Sequence, residues 1–354
     1  MPLSDNKGNY MEKVPFCQEI FRESSCIKGR NHIKLIVTQF AGAEKKKNYV
    51  VYCGIEGMHG LRGHAQDGGN MKKLLNDGWE FVKLRTGSTL EDLRKASGWE
   101  KVDLPHDWLI RQHRDLYESA DAWYRREIFF EEIPKACLLY FDGVYMDCDV
   151  LLNGEIICSH AYGYTAFTAD LSGRLRAGMN EVLVHIRHQS PNSRWYSGSG
   201  IFRDVFLLEL PENYLVPDSF YLTEKKAGDG WDLTISAETS KPDPALFRYS
   251  VTDTDGTVLA EGEAESFDGG IQTKIRLEGV ESWDIDHPTL YTLRYDFNGE
   301  AGTLRFGLRT TAFTPNRGFL LNGRPVKLKG VCLHHDLGAL GAAFMKKRHA
   351  ASCC

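Results

Sequence analysis

The segment 193–205, SRWYSGSGIFRDV, joins a cation and two aromatic rings to a run of small residues. Arg194 can present a forked set of donors to hydroxyl or carboxylate groups. Trp195 can stack its ring against the C–H groups of a sugar. Gly198 and Gly200 let the backbone turn sharply and bring these side chains to the edge of a domain. The pattern predicts a carbohydrate contact by Arg194 and Trp195, and its alternative is a structural role at a domain interface.

Two further motifs hold polar side chains that could contact a substrate. In LPHDW (104–108), Asp107 can bind a ligand, or it can cap the backbone amides of a short turn. In VKLKGVCLHHD, His334 follows a segment that alternates as a strand does. His334, His335 and Asp336 lack the additional ligand and supporting shell that a zinc site needs. We therefore predict no metal and no cofactor.

The carboxylates that hydrolyse a glycosidic bond are not evident in the sequence. That reaction normally uses two carboxyl groups that face each other across the bond, about 5 to 5.5 Å apart in a retaining enzyme. The Asp residues of the first half belong to turns and strand edges, and no Glu follows Glu300. We therefore predict no catalytic residue in this chain.

Short alternating strands must position these side chains. Between residues 79 and 210 the alternating runs are separated by turn dipeptides such as Asn153-Gly154. This pattern predicts an all-β, jelly-roll-like sandwich. Residues 214–313 repeat the pattern on a smaller scale and predict about seven strands in an immunoglobulin-like sandwich, with Pro211 near the boundary.

Further motifs stand in a fixed order around those described above. They are DAWYRREI (121–128), FDGVYMDCDVLLNGEIICSHAYGYTAFTADLS (141–172), SWDIDHPTLYTL (282–293) and FLLNGRPVKLKGVCLHHDLGALGAA (319–343). With LPHDW and SRWYSGSGIFRDV they resemble the N-terminal portion of glycoside hydrolase family two, the β-galactosidase and β-glucuronidase type. The resemblance implies a jelly-roll sugar-binding domain at 71–211, an immunoglobulin-like sandwich at 212–313, and an incomplete first strand of a (β/α)8 barrel within 314–344.

The resemblance also implies roles for individual residues. Arg194 would lean towards the mouth of the barrel, and His334 would hydrogen-bond a hydroxyl of the bound sugar. Tyr162 and Tyr164 either line the same edge or pack within a hairpin. The catalytic glutamates of the family lie on later barrel strands, so this chain would supply walls for a β-glycoside substrate and be inactive alone. The alternative is a stand-alone, lectin-like carbohydrate-binding module.

The two ends of the chain lack these patterns. Residues 1–70 show neither a strand nor a helix period, and we expect a non-native or disordered extension before a natural start at Met71. Residues 345–354, MKKRHAASCC, differ from barrel sequence, and we expect an aberrant tail after a shift of reading frame. Strand edges left without neighbours in 319–344 predict self-association through that end.

Composition narrows the class and compartment of the protein. The net charge of −5 and the dispersed basic residues argue against a nucleic-acid partner. No stretch of the sequence is long and apolar enough to span a membrane. Nine cysteines without regular spacing, and a first segment unlike a secretory signal, predict reduced thiols and a cytoplasmic location.

Overall fold

The structure is a computed structural model that describes residues 71–111, 115–192, 196–330 and 337–344. The expectations for residues 1–70 and 345–354 lie outside these ranges. Within them the sheets are antiparallel and strands dominate, which confirms the all-β prediction. One α-helix, α1 (Leu90–Lys95), lies in the described part, where no helix is long and apolar enough to cross a membrane.

Ten strands within the described residues form the first sandwich. In chain order they are β1 (Lys72–Leu74), β2 (Trp79–Leu84), β3 (Glu100–Val102), β4 (Ala120–Phe130), β5 (Ala136–Phe141), β6 (Cys148–Leu152), β7 (Glu155–His160), β8 (Phe167–Asp170), β9 (Gly178–His188) and β10 (Val205–Leu210). One sheet has the order β3-β2-β4-β9-β6-β7, and the other has the order β1-β10-β5-β8. The two sheets enclose one apolar core, as expected for a jelly-roll-like sandwich.

The alternation along β4 and β9 explains how this sandwich buries its core. Tyr124 pairs with Val184, and both point into the core between the sheets. The adjacent Trp123 and His185 point to the outer face, where their rings stack 3.9 Å apart. Leu93 of α1 packs in the same outer cluster as Trp123. The helix therefore covers an apolar strip that would otherwise be exposed to water.

A capping box stabilises α1, which the alternating pattern did not predict. The Thr89 hydroxyl accepts a hydrogen bond from the Asp92 backbone N–H at 3.3 Å, and the Asp92 carboxylate accepts one from the Thr89 backbone N–H at 2.9 Å. These two bonds satisfy amide donors that the first turn of a helix leaves unpaired.

Seven strands form the second sandwich, which agrees with the predicted immunoglobulin-like domain. They are β11 (Tyr221–Ala227), β12 (Gly230–Glu238), β13 (Leu246–Thr252), β14 (Val258–Glu265), β15 (Gly270–Leu277), β16 (Tyr291–Phe297) and β17 (Glu300–Phe306). The sheets have the orders β11-β12-β15 and β14-β13-β16-β17 and share a separate apolar core. Asn298 and Gly299, at φ of +52° and +86°, form the tight turn between β16 and β17.

A small third sheet follows and leads back to the first sandwich. It contains β18 (Thr311–Thr314), β19 (Gly318–Leu321) and β20 (Arg324–Pro325) in that order. The predicted strand at VKLKGV is wrong for residues 326–330, which belong to no strand, although the Val326 backbone N–H donates to the Phe319 carbonyl of β19 at 3.0 Å. Residues 337–344 lie against the first sandwich, where the Phe344 backbone N–H donates to the Phe202 carbonyl at 2.8 Å.

Candidate functional site

The Asp107 carboxylate accepts four hydrogen bonds and joins three distant parts of the chain. Its Oδ1 accepts from the backbone N–H groups of Leu109 and Ser199, both at 3.0 Å. Its Oδ2 accepts from the Tyr196 hydroxyl at 2.5 Å and from the Ala342 backbone N–H at 2.7 Å. The residue is 3% exposed, so these donors replace the water that a carboxylate loses on burial. We call this arrangement the Asp107 junction.

Backbone pairing places the LPHDW segment at the junction. The His106 backbone N–H donates to the Ile201 carbonyl at 2.8 Å, and the Trp108 backbone N–H donates to the Ser199 carbonyl at 3.0 Å. Trp108 and Leu109 are fully buried beneath this pairing, where a short 3-10 turn begins. The bond from Leu109 to Asp107 is the turn-capping interaction, one of the two roles that the sequence allowed for this carboxylate.

Two glycines let the segment 337–344 reach Asp107. A Cβ on Gly341 would lie 2.2 Å from Asp107 Oδ2 and 2.7 Å from the Tyr196 hydroxyl. A Cβ on Gly198 would lie 2.5 Å from the Ala342 Cβ. Both glycines also have positive φ, +59° and +70°. The close approach therefore depends on glycine at both positions.

Buried nitrogens without partners lie beneath the junction. His106 Nε2, Trp108 Nε1 and both ring nitrogens of His188 have no hydrogen-bond partner among the described residues. The rings of Trp108 and His188 meet edge to face at 5.9 Å. Burial lowers the pKa of His106 to about 4 and lowers the pKa of His188 from its usual value. Both imidazoles are neutral at pH 7 and add no positive charge beside Asp107.

An aromatic cluster lies beside the junction. Tyr145 and Phe202 are buried together with Ala342, and Tyr164 packs against them. The rings of Tyr145 and Tyr164 lie 5.1 Å apart, edge to face. Tyr162 continues this contact outward and is 59% exposed. Of the two tyrosines that the sequence assigned either to the edge or to packing, Tyr164 packs and Tyr162 faces solvent.

The structure describes one of the four predicted contact residues. Asp107 is at the centre of the junction, and its contact with a substrate stays a prediction. Arg194, Trp195 and His334 lie outside the described residues, so their predicted contacts are also untested. No group of three or more His, Cys, Asp or Glu side chains suited to a metal ion occurs in the described part of the chain.

Several residues of the junction were not singled out from the sequence. The backbone N–H groups of Ser199 and Ala342 donate to Asp107, and the buried ring of His188 lies nearby with both nitrogens unpaired among the described residues. The only sequence signal for Ala342 is the run of small residues at 341–343, which permits a close approach without specifying its target.

Comparison with known proteins identifies the class to which this fold belongs. Residues 101–211 match the family described as "Glycosyl hydrolases family 2, sugar binding domain". A β-galactosidase from Bacteroides ovatus is 35% identical over 69% of this chain, and a putative β-glucuronidase from Formosa agariphila is 29% identical over 77% of it. The chain spans 32% and 28% of the lengths of these two relatives.

Solved structures show the same arrangement of strands. A glycosyl hydrolase family 2 member from Bacteroides cellulosilyticus matches with a TM-score of 0.68 and 25% identity over 80% of this chain and 41% of its own. A β-glycosidase from Bacteroides vulgatus matches with a TM-score of 0.67 and 26% identity over 77% of this chain and 38% of its own. The chain therefore carries the sugar-binding domain of glycoside hydrolase family two, and its matches correspond to an N-terminal portion of proteins of that family.

Proposed function

We propose that this chain binds the sugar of a β-glycoside beside the Asp107 junction and does not cleave the glycosidic bond itself. The observation that carries this proposal is the state of the Asp107 carboxylate. Both of its oxygens are already committed to four protein donors, so it is not free to attack a sugar or to transfer a proton. The sequence offers no Glu after Glu300 to form the pair that hydrolysis needs.

The sugar would be held by side chains around the junction. We propose that Arg194 donates to a hydroxyl or carboxylate of the sugar, that Trp195 stacks on its ring, and that His334 donates to a hydroxyl. The junction supports this proposal because Tyr196 and Ser199, which follow Arg194 and Trp195 in the chain, are fixed by Asp107. A fixed backbone reduces the entropy lost when the preceding side chains bind a ligand.

The substrates named for the relatives set the choice of ligand. Curated relatives are named β-galactosidases and β-glucuronidases, so methyl β-galactoside and methyl β-glucuronide are the first ligands to test.

We further propose a cytoplasmic location, supported by the free thiols of Cys137, Cys148 and Cys158. Burial raises the pKa of Cys137 and of Cys148 to about 12, which keeps both thiols unreactive.

Titration of the whole chain with the two methyl glycosides, followed by protein NMR, tests the binding proposal. We expect saturable binding of at least one glycoside, lost in Arg194→Ala and in Trp195→Ala. Arg94→Ala changes an exposed arginine on α1 and should bind as the unchanged chain does. Absence of binding by the unchanged chain would refute the proposal.

Hydrolysis of 4-nitrophenyl β-galactoside and β-glucuronide tests the second half of the proposal. We expect no release of nitrophenol above buffer, because the sequence offers no Glu after Glu300 to protonate the leaving oxygen and attack the anomeric carbon. Turnover that copurifies with the chain and persists after removal of host glycosidases would contradict this.

The lectin-like module remains the second candidate, since it makes the same binding prediction. The glycosidase part and the lectin-like module predict different DNA sequences after codon 345. A barrel encoded in another frame or in an adjacent gene favours the glycosidase part, and an untranslated spacer favours the independent module.

A further inference from the structure

The Tyr162 side chain is more than half exposed to solvent and rests on a set of packed aromatic rings. It lies between β7 and β8 and is 59% exposed, although its ring contacts Tyr164 edge to face at 5.8 Å. Tyr164 in turn contacts Tyr145 at 5.1 Å and Phe202 at 6.1 Å, both edge to face. The exposed ring is therefore the outermost of a connected set whose inner members are buried.

The backbone beneath Tyr162 is also fixed. A Cβ on Gly163 would lie 2.3 Å from the Tyr145 ring, so the chain runs directly over that ring. The Thr165 hydroxyl donates to the Tyr162 carbonyl at 3.4 Å and bonds His160 Nε2 at 3.0 Å. An aromatic side chain held in this way loses little conformational entropy when a ligand stacks on it.

The aromatic set connects Tyr162 to the Asp107 junction. Tyr145 and Phe202 share a cluster with Ala342, whose backbone N–H donates to Asp107. Tyr162 is separated from this cluster by the ring of Tyr164. A ligand that reaches Tyr162 from the junction must therefore be longer than one that contacts the junction alone.

We infer that Tyr162 is a stacking platform for a second sugar unit of a β-linked oligosaccharide, next to the unit bound beside the Asp107 junction. The inference rests on the proposed function and adds a subsite to it. The face of a tyrosine ring carries partial negative charge and attracts the C–H groups on one side of a hexose ring. The Tyr162 hydroxyl, and the partly exposed His160 and exposed Thr165 side chains close to it in the chain, offer donors and acceptors for the sugar hydroxyls.

A disaccharide and a monosaccharide distinguish this subsite from the first. Lactose and methyl β-galactoside are titrated into the whole chain, and the dissociation constants are measured by NMR. We expect lactose to bind more tightly than methyl β-galactoside. Tyr162→Ala should weaken lactose binding about fivefold and leave methyl β-galactoside unchanged, which is the range expected for one aromatic contact. Tyr162→Phe, which keeps the ring, should retain at least half of the lactose affinity.

A control variant and the two ligands distinguish loss of the Tyr162 subsite from general unfolding and from a failure of the proposed sugar binding. Phe267→Ala removes an exposed aromatic ring, 83% accessible, from the second sandwich and should leave both dissociation constants unchanged. Equal lactose affinity in Tyr162→Ala and the unchanged chain overturns the inference and leaves the proposed function intact. Equal weakening of both sugars also overturns it, because Tyr162 then belongs to the first subsite. If the unchanged chain binds neither sugar, the proposed function itself fails.

Discussion

Asp107 can act through the protein or through a substrate, and one substitution distinguishes the two. Asp107→Asn keeps the shape of the side chain and replaces one acceptor oxygen with an amide that cannot accept from Tyr196 and Ala342. We expect it to lower the free energy of unfolding by about 3 kcal/mol, because buried donors lose a charged partner. Urea unfolding of the whole chain measures this loss.

Tyr196→Phe is the matched variant for the same carboxylate. It removes one donor at 2.5 Å and leaves the other three in place, so it should cost about half as much as Asp107→Asn. A pair of variants with unchanged stability and weakened sugar binding would instead assign Asp107 to the substrate.

Candidate site residues could be predicted from the sequence more readily than their hydrogen-bond partners. Asp107 stood out because Asp before a turn has few common uses, and the capping bond to Leu109 is one of them. Its bond to Ala342 crosses 235 residues, and nothing in the spacing of the sequence relates the two positions. His188 is a single histidine at the end of a strand, and only burial with unpaired nitrogens sets it apart.

At the scale of elements, docking of residues 337–344 depends on the room available at one glycine. Gly341→Ala would place a Cβ 2.2 Å from Asp107 Oδ2, whereas Gly338→Ala meets nothing within 4 Å. Both glycines have a φ of +59°, so Gly338→Ala controls for an alanine at positive φ in the same segment. We expect Gly341→Ala to release the segment and Gly338→Ala to leave it docked.

Hydrogen exchange of the Ala342 backbone N–H, followed by mass spectrometry, measures this release. The amide should exchange at least about tenfold faster in Gly341→Ala than in Gly338→Ala, equivalent to a docking loss of about 1.4 kcal/mol. Equal exchange in the two variants would show that the segment does not depend on its contact with Asp107.

Elements with a local signal were predicted, and elements that depend on neighbours were not. Asn298-Gly299 forms the predicted hairpin because both residues accept positive φ. The helix α1 is six residues long, too short for a helical period to emerge from the surrounding strands. Residues 326–330 have the composition of a strand, but a strand needs a continued ladder of hydrogen bonds, and the bond from Val326 to Phe319 of β19 does not extend into one among the described residues.

At the scale of the whole molecule, the second sandwich should lose stability as pH rises. Glu300, at the start of β17, accepts from the Leu215 backbone N–H at 3.0 Å. Burial, with a smaller contribution from the charge of Asp296, raises its pKa from 4.5 to about 7. The folded state therefore holds a proton that the unfolded state releases. This stabilisation is complete below about pH 4.5 and is lost as pH rises through about 7.

Glu300→Gln removes this dependence while keeping an acceptor for Leu215. We expect its melting temperature to exceed that of the unchanged chain by about 3 °C at about pH 8 and to match it at about pH 4. Glu261→Gln, on the exposed face of β14, is the control and should show neither effect. A constant difference at both pH values would show that Glu300 does not titrate in this range.

Self-association of the whole chain through residues 319–344 stays a prediction.

The bond between Ala342 and Asp107 also sets an order of events during synthesis. The two residues are 235 positions apart, so about 10 to 50 s of translation separate them at about 5 to 20 residues per second. During that interval the Asp107 carboxylate has at most three of its four donors. The second sandwich must be made before the fourth arrives, so every nascent chain passes through a period in which the first sandwich is complete in sequence and open at its junction.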